Sequence, residues 1–297
     1  MWPSFRSAWR RRLNHTLLSR FLKQHVPDHS DSVVLTTVPI VADLVGTLPV
    51  RRWVYYRVDD FAAWPGIDSN TVCQMEASLV AGADRVVAAG EELAEPMRQQ
   101  GRDPVVITHG VDLEHWSTNG KNRVVHNFDC FQRPIALFWG LVDRRLDLTF
   151  LEHLGRSMQR GSIVLIGPEQ EPDPGLARIP RVYRAGPLPF EDLPGVASQA
   201  DVLIMPYADL PVTRAMQPLK LKEYLATGKP VVARDLPAVQ RWRDALDVVA
   251  DPHEFVGRVL DRFDGQIPPS QRRARVRLGS ESWAAKARQL EEVLFGP

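Results

Sequence analysis

Only two cysteines, Cys73 and Cys130, occur among 297 residues. That excludes a disulfide-stapled scaffold and a Cys-rich zinc site, and it fits a reducing, cytosolic compartment. Excess charge of one sign is also missing, since 37 Lys and Arg stand against 36 Asp and Glu. A balance so near zero excludes a nucleic-acid binder held by global charge, so no nucleic-acid partner is expected. No uncharged apolar run reaches the ~18 residues of a membrane span. Residues 1–27 lack the basic, apolar and small-residue zones of a secretion signal in their required order. The Gly-rich turn of a dinucleotide site and the Gly-x-Ser-x-Gly elbow of a hydrolase are both absent, which argues against a dinucleotide cofactor and a serine nucleophile. What is present is an ordinary globular mix, 44% hydrophobic and 25% charged. At ~150 residues per domain the length predicts about two domains.

The N-terminal segment has a pattern of its own. Residues 1–27 hold Arg6, Arg10, Arg11, Arg12, Arg20 and Lys23 and no acid. Trp2, Phe5, Trp9, Leu13, Leu17 and Phe21 recur at steps of three or four, the spacing of a helix. Such a helix can lie on an anionic membrane surface through residues 1–25, or it can pack its apolar stripe on its own domain. Arg6 and Arg20 project close to the stripe and blur its two faces, which favours packing.

The rest of the chain alternates short β-rich runs with helical stretches. The runs are Val33–Thr36, Trp53–Val58, Arg85–Ala89 and Val105–Thr108, then Ile135–Trp139, Ile163–Ile166, Val182–Ala185, Val202–Met205, Pro230–Ala233 and Val248–Val249. Most are continuously apolar, as parallel strands covered on both faces should be. Between them lie stretches long enough for crossover helices, such as Ser69–Gly82, Glu91–Gln100, Leu146–Arg160 and Leu219–Thr227. The fold class predicted is therefore α/β, with doubly wound parallel sheets. The polar, turn-forming run Ser117–Arg123 separates two such blocks.

The most informative stretch runs from Pro218 to Val232. Pro218 suits the first turn of a helix, and Gly228 and Pro230 end it. A helix N-terminus favours an anion, and Lys220 adds a full positive charge in its first turn. Glu223, further along, can accept two hydrogen bonds from neighbouring ribose hydroxyls. Phosphate beside ribose describes a nucleoside diphosphate. The same residues could equally form a solvated helix face.

At this point the sequence resembles the group 1 (family 4 type) GT-B glycosyltransferases. Pro218–Val232 resembles their donor-binding signature, His109-Gly110-Val111-Asp112 the motif that closes their N-terminal domain, and Ala200–Tyr207 the strand before the donor loop. Phe138-Trp139-Gly140 followed by Arg145 resembles their first C-domain strand and its basic phosphate contact. Tyr55–Asp60 and Glu76 with Ala83-Asp84 are similar to elements of a bacterial subgroup that makes surface polysaccharides. The resemblance implies the GT-B fold, two Rossmann-like domains facing a cleft, the N-terminal one reduced. It implies an acceptor-side domain over 1–118 that is incomplete, a linker over 119–133, a donor-binding domain over 134–280 and a C-terminal helix, 281–295, crossing back. It further implies a retaining glycosyltransferase acting in the cytoplasm, peripheral on the inner face of the membrane if helix 1–25 docks there. The enzyme would move a sugar from a nucleoside-diphosphate donor to a saccharide or lipid-linked acceptor.

Residue by residue, the resemblance makes Glu223 the ribose contact and Lys220 and Arg145 the basic groups near the diphosphate. Gly140 would let the backbone approach the donor, and Thr213 lies in the donor loop. The family's first acid of its Glu-x7-Glu pair falls on Ala215, which leaves backbone amides of Thr213–Gln217 to contact the ligand instead. Asp59 and Asp60 end a strand and are the catalytic candidates, with Asp59 favoured to polarise the acceptor hydroxyl. His109 and Asp112 are hinge or cleft residues, and His109 is expected to be structural. No metal and no cofactor are expected, because the lysine and the helix terminus already supply positive charge. The missing first strand–helix units raise two alternatives, a non-catalytic nucleotide-sugar-binding subunit or a decayed remnant. They also predict self-association through an open sheet edge. An epimerase on the same scaffold fits the His109–Asp112 and Glu223–Ala226 motifs less well.

Overall fold

A computed structural model describes residues 5, 7–26, 30–63, 67–117, 128–216 and 219–297. Trp2, Arg6, most of the expected linker and Pro218 lie outside the described residues. The chain divides into two compact units, residues 1–109 with 284–297, and residues 110–283. Residues 110–117 therefore belong to the second unit.

Every one of the ten predicted runs forms a strand. The first unit contains α1 (Ala8–His25), β1 (Val33–Thr36), β2 (Arg52–Arg57), α2 (Ser69–Gly82), β3 (Arg85–Ala88), α3 (Glu91–Gln99) and β4 (Val105–Val106). The second contains α4 (Leu113–Ser117), β5 (Ile135–Trp139), α5 (Leu148–Ser157), β6 (Ser162–Ile166), β7 (Val182–Gly186), α6 (Leu193–Gln199), β8 (Val202–Met205), α7 (Pro211–Ala215), α8 (Leu219–Ala226), β9 (Val231–Arg234), α9 (Pro237–Gln240), β10 (Asp247–Val249), α10 (Pro252–Asp261) and α11 (Pro269–Ala274). A last helix, α12 (Trp283–Phe295), leads into the segment that rejoins the first unit. Helix starts follow side-chain chemistry. Asp68 accepts from Thr71 N (3.2 Å) at α2, Asp147 from Thr149 N (2.9 Å) at α5, and Asp251 from His253 N (2.8 Å) at α10. Each carboxylate satisfies an amide that the helix itself cannot.

The first sheet is parallel in the order β1-β2-β3-β4. Its side chains alternate between two cores, as the pleat requires. Trp53, Tyr55, Val86 and Ala88 meet Met75 and Leu79 of α2 on one face. Val54, Val87 and Ile107 meet Val293 of α12 on the other, flanked by Leu290 and Leu294. Arg52 holds the end of α12, donating through Nη1 to the carbonyls of Val293 (3.1 Å), Leu294 (3.0 Å) and Gly296 (2.7 Å).

Helix α1 corrects in part the expectation that the aromatic stripe packs inward, since among the stripe's described residues only Phe5, which precedes the helix, packs on the first core. Leu18 and Leu22 pack on the first core, Asn14 is buried, and Arg11 pairs with Asp43. Trp9, Leu13, Leu17 and Phe21 are instead 63%, 40%, 43% and 55% exposed. Two stripes of helical spacing exist, and the more polar one is turned inward because Arg11 finds a carboxylate there.

The second sheet is parallel in the order β10-β9-β8-β5-β6-β7. The chain runs outward from β5 through β6 and β7, then returns to β5's other side with β8. That makes β5/β8 the topological switch, where ligands of such sheets bind beyond the strands' carboxyl ends. All five residues of β5 and all four of β8 are buried, as the apolar runs imply.

Candidate functional site

Four of the five donor residues expected in the second unit, Gly140, Arg145, Lys220 and Glu223, gather at this switch. Gly140 directly follows β5 and has φ +148°, a value that L side chains rarely adopt. A Cβ there would lie 2.6 Å from Cε of Lys220 and would also collide with its Nζ, so the lysine chain lies across a glycine that has to be bare. Gly167, at the end of β6 with φ +144°, packs as closely on Gly140, since a Cβ on it would lie 2.7 Å from the Gly140 carbonyl carbon.

Helix α8 supplies Lys220 and Glu223, and buried contacts on two of its sides fix it. Tyr224 Oη accepts from Trp139 N (2.8 Å) and donates to Trp139 O (3.2 Å). Its ring lies 4.0 Å from that of Trp139, and its burial pushes the phenol well above its ordinary pKa. On another side of the helix, Lys222 Nζ reaches Glu281 Oε2 at 2.5 Å in a buried ion pair that Arg241 also joins (3.1 Å). These anchors leave Lys220 and Glu223 directed toward the end of β5.

Lys220 Nζ lies 3.4 Å from Tyr207 Oη and 5.8 Å from the centre of the Phe138 ring. Burial lowers its pKa, and Arg145 lowers it further by repulsion. Arg145 reaches the site because its loop runs beside the residues that follow β8. Ala208 N donates to Arg145 O and Asp147 N to Pro206 O, both at 2.7 Å. The Arg145 guanidinium is held by Asp143, with Nε 2.8 Å from Oδ2. The Tyr207 phenol is pushed up to about 12 by burial. Lys220 and Arg145 are thus two cations in a poorly hydrated corner that also holds the carboxylates of Asp143 and Glu223.

Glu223 is 8% exposed. Burial raises its pKa, while the hydrogen bond from Trp139 Nε1 (3.3 Å) and the positive potential of Lys220 and His115 act the other way. Aromatic rings line this side. Trp116 stacks on Trp139 at 5.2 Å, and His115 stacks on Phe190 at 4.3 Å. A carboxylate against an indole edge, with stacked rings beside it, suits hydroxyl-bearing and planar ligand groups.

Other candidates take different places. Thr213 is fully buried, and its hydroxyl contacts Ala208 O and Leu210 O (3.0 Å) and accepts from Leu210 N (2.9 Å). That side chain shapes the loop and is spent there. Asp112 caps α4, accepting from His115 N at 3.0 Å. His109 closes the first unit, beyond β4. Asp59 and Asp60 are exposed beyond the carboxyl end of β2 in the first unit. Asp59 Oδ1 accepts from Asp60 N (2.8 Å), and Asp60 lies 3.6 Å from Arg57, a buried guanidinium that also pairs with Glu76 (2.9 Å). Tyr55 Oη donates to the same Glu76 carboxylate at 2.6 Å. Among the described residues no three His, Cys, Asp or Glu side chains group as metal ligands. The reading from sequence missed Trp139, Asp143, Tyr207 and His115 as site residues. A Trp beside a switch-point glycine was the available signal for the first, whereas the others depend on tertiary contact.

Comparison with known proteins bears on the family resemblance and the fold. Residues 133–263 match the family model described as glycosyl transferases group 1. A curated relative from Bacillus subtilis, named putative teichuronic acid biosynthesis glycosyltransferase TuaH, is 27% identical over 180 residues. That match covers 57% of this chain and 44% of the relative, so the chain spans under half of the relative's length. Among solved structures, HepE of Anabaena in complex with UDP aligns with a TM-score of 0.71 at 15% identity, over 94% of this chain and 82% of that one. Sucrose-phosphate synthase of Thermosynechococcus elongatus aligns with a TM-score of 0.67 at 17% identity, over 95% and 78%. A trehalose 6-phosphate synthase of Burkholderia multivorans aligns at 0.70 and 12%, over 96% and 74%. Residues 133–263 thus resemble the group 1 glycosyltransferases, and the chain shares the GT-B fold of these solved structures.

Proposed function

We propose that the protein is a retaining glycosyltransferase that moves a sugar from a nucleoside-diphosphate sugar to a saccharide or lipid-linked acceptor, in the synthesis of a cell-surface polysaccharide. The observation that carries this reading is the grouping of Lys220, Arg145 and Glu223 around a bare Gly140 at the switch of the second sheet. The teichuronic acid relative supports the polysaccharide role, and the UDP in the HepE structure supports a nucleotide donor. In this reading Lys220, Arg145 and the first-turn amides of α8 hold the diphosphate and take up its charge as it leaves. Glu223 accepts hydrogen bonds from the ribose hydroxyls, and the Trp116–Trp139 and His115–Phe190 stacks border that end. The acceptor oxygen attacks on the face from which the diphosphate departs. Asp59 polarises the acceptor hydroxyl, whereas Asp60 is engaged by Arg57. Neither metal nor cofactor takes part, and the nucleotide sugar is a substrate.

The test is calorimetry with UDP, GDP and ADP, followed by donor hydrolysis and transfer assays on a saccharide acceptor, with and without EDTA. One nucleotide should bind, its sugar should be transferred in EDTA, and Asp59→Asn should lower kcat far more than it raises KM. Nucleotide binding with neither hydrolysis nor transfer would make the protein a non-catalytic nucleotide-sugar binder, the role that Ala215 in place of an acid also suggests. Activity abolished by EDTA and restored by Mn²⁺ would defeat the metal-free mechanism.

A further inference from the structure

We propose that the outer face of α1 docks on the surface of an anionic lipid bilayer. The inner face of this helix is fastened to the first unit. Arg11 pairs with Asp43, His15 Nε2 lies 3.0 Å from Thr47 Oγ1, and Leu18 and Leu22 enter the core. The helix is therefore a fixed element that presents its other side outward. On that side Trp9, Leu13, Leu17 and Phe21 follow one another at steps of four, all exposed. At ~1.5 Å per residue they form a stripe about 18 Å long.

Charge decides what covers this stripe. Arg10, Arg12, Arg20 and Lys23 are exposed along it and form no ion pair with any described residue. The 18 residues of α1 contain no acid. The Arg10 guanidinium lies 5.4 Å from the Trp9 ring centre, and Phe21 stacks on His25 at 4.1 Å. A second copy of the same face would bring two sets of these cations together with nothing on either helix to neutralise them. An anionic bilayer supplies both missing partners, phosphate for the cations and acyl chain for the stripe, and Trp and Phe settle at that boundary. No described helix is long and apolar enough to cross a membrane, so α1 lies in the plane of the surface. Arg20 beside the stripe, which blurs the two faces in a helical projection, would reach past the apolar side chains to the headgroups.

The experiment is sedimentation of the full chain with vesicles of phosphatidylglycerol and phosphatidylcholine in equal parts, against phosphatidylcholine alone. Wild type should partition onto the anionic vesicles and little onto the neutral ones. Each cation near an anionic surface contributes about fivefold in affinity, so Arg10→Gln/Arg12→Gln/Arg20→Gln should lower partitioning about a hundredfold. Trp9→Ser/Phe21→Ser should lower it roughly tenfold or more by removing apolar burial. All five side chains are exposed, so the variants should melt like wild type, which a thermal scan checks. Absence of binding to anionic vesicles, equal binding to both kinds, or an apolar variant that binds like wild type would each overturn the proposal. So would a wild-type dimer in light scattering that Trp9→Ser/Phe21→Ser converts to monomer, because the occupant would then be a second copy.

Discussion

Replacing Glu223 by Gln should move stability and ligand affinity in opposite directions. The carboxylate is 8% exposed, and burial raises its pKa above the ordinary value despite the Trp139 hydrogen bond and the nearby cations. The raised value already includes those attractions, so its direction gives the sign directly. Below the unfolded value of 4.5 the group is protonated in both states and costs nothing. As pH climbs through the raised folded value, the folded protein must ionise a group that its surroundings disfavour, and stability is lost. In Glu223→Gln the amide would keep the shape of the side chain and stay neutral at every pH. The variant should therefore melt at a higher temperature than wild type at pH 7.5, with the gap closing as pH falls to 4. Binding should respond the other way. Two hydrogen bonds from ribose to a carboxylate, weakened to bonds to an amide, should cost about 1.5–3 kcal/mol, or roughly 10–150-fold in Kd. The assay is differential scanning fluorimetry across pH, together with calorimetry of UDP. Wild-type affinity should also fade on acidification at a higher pH than an ordinary carboxylate would give. A Gln variant that binds UDP as wild type does would refute the ribose role, and one that melts lower at pH 7.5 would refute the electrostatic argument.

Two further substitutions test how the site is built. Gly140→Ala puts a Cβ 2.6 Å from Cε of Lys220 and 3.1 Å from Cζ of Phe138 at φ +148°. Backbone strain of about 1–3 kcal/mol and a displaced lysine should lower the melting temperature and weaken UDP binding at least tenfold, whereas unchanged calorimetry would show that Lys220 need not lie where it does. Tyr224→Phe removes the oxygen that accepts from Trp139 N and donates to Trp139 O. The stranded buried amide should cost about 1–3 kcal/mol in urea denaturation, and an unshifted midpoint would mean that α8 is not held to β5 by this hydroxyl.

The strands were legible because parallel strands buried on both faces must be apolar along their length, and β5 and β8 are so throughout. The positions of Lys220, Glu223, Gly140 and Arg145 follow from motif order, since each lies just beyond a strand or in the first turns of a helix entering the switch. Thr213 shows the limit of that reasoning. A hydroxyl in a donor loop looks available in one dimension, yet the loop needs it for its own carbonyls. Asp112 is similar, a short acid before a helix whose nearest unmet partner is the helix's own amide. His115 became visible only through contact, because its stacking partner Phe190 lies far away in sequence.

Helix α1 carries the lesson furthest. Helical spacing identifies residues that share a side, but it does not say which side faces the core. Apolarity alone would turn Trp9, Leu13, Leu17 and Phe21 inward, and then Arg11 and Asn14 would look outward beside the other cations of the helix. The observed orientation instead gives Arg11 its carboxylate, Asp43, buries Asn14 and packs the half-buried Leu18 and Leu22 on the core. A core can accept a paired arginine, whereas water gains nothing from an exposed tryptophan, so the orientation costs the isolated unit apolar burial. That cost is recovered if another apolar phase meets the outer face. The same four residues that make the helix poorly matched to water make it well matched to a bilayer surface, and the absence of any acid along α1 restricts the match to an anionic one.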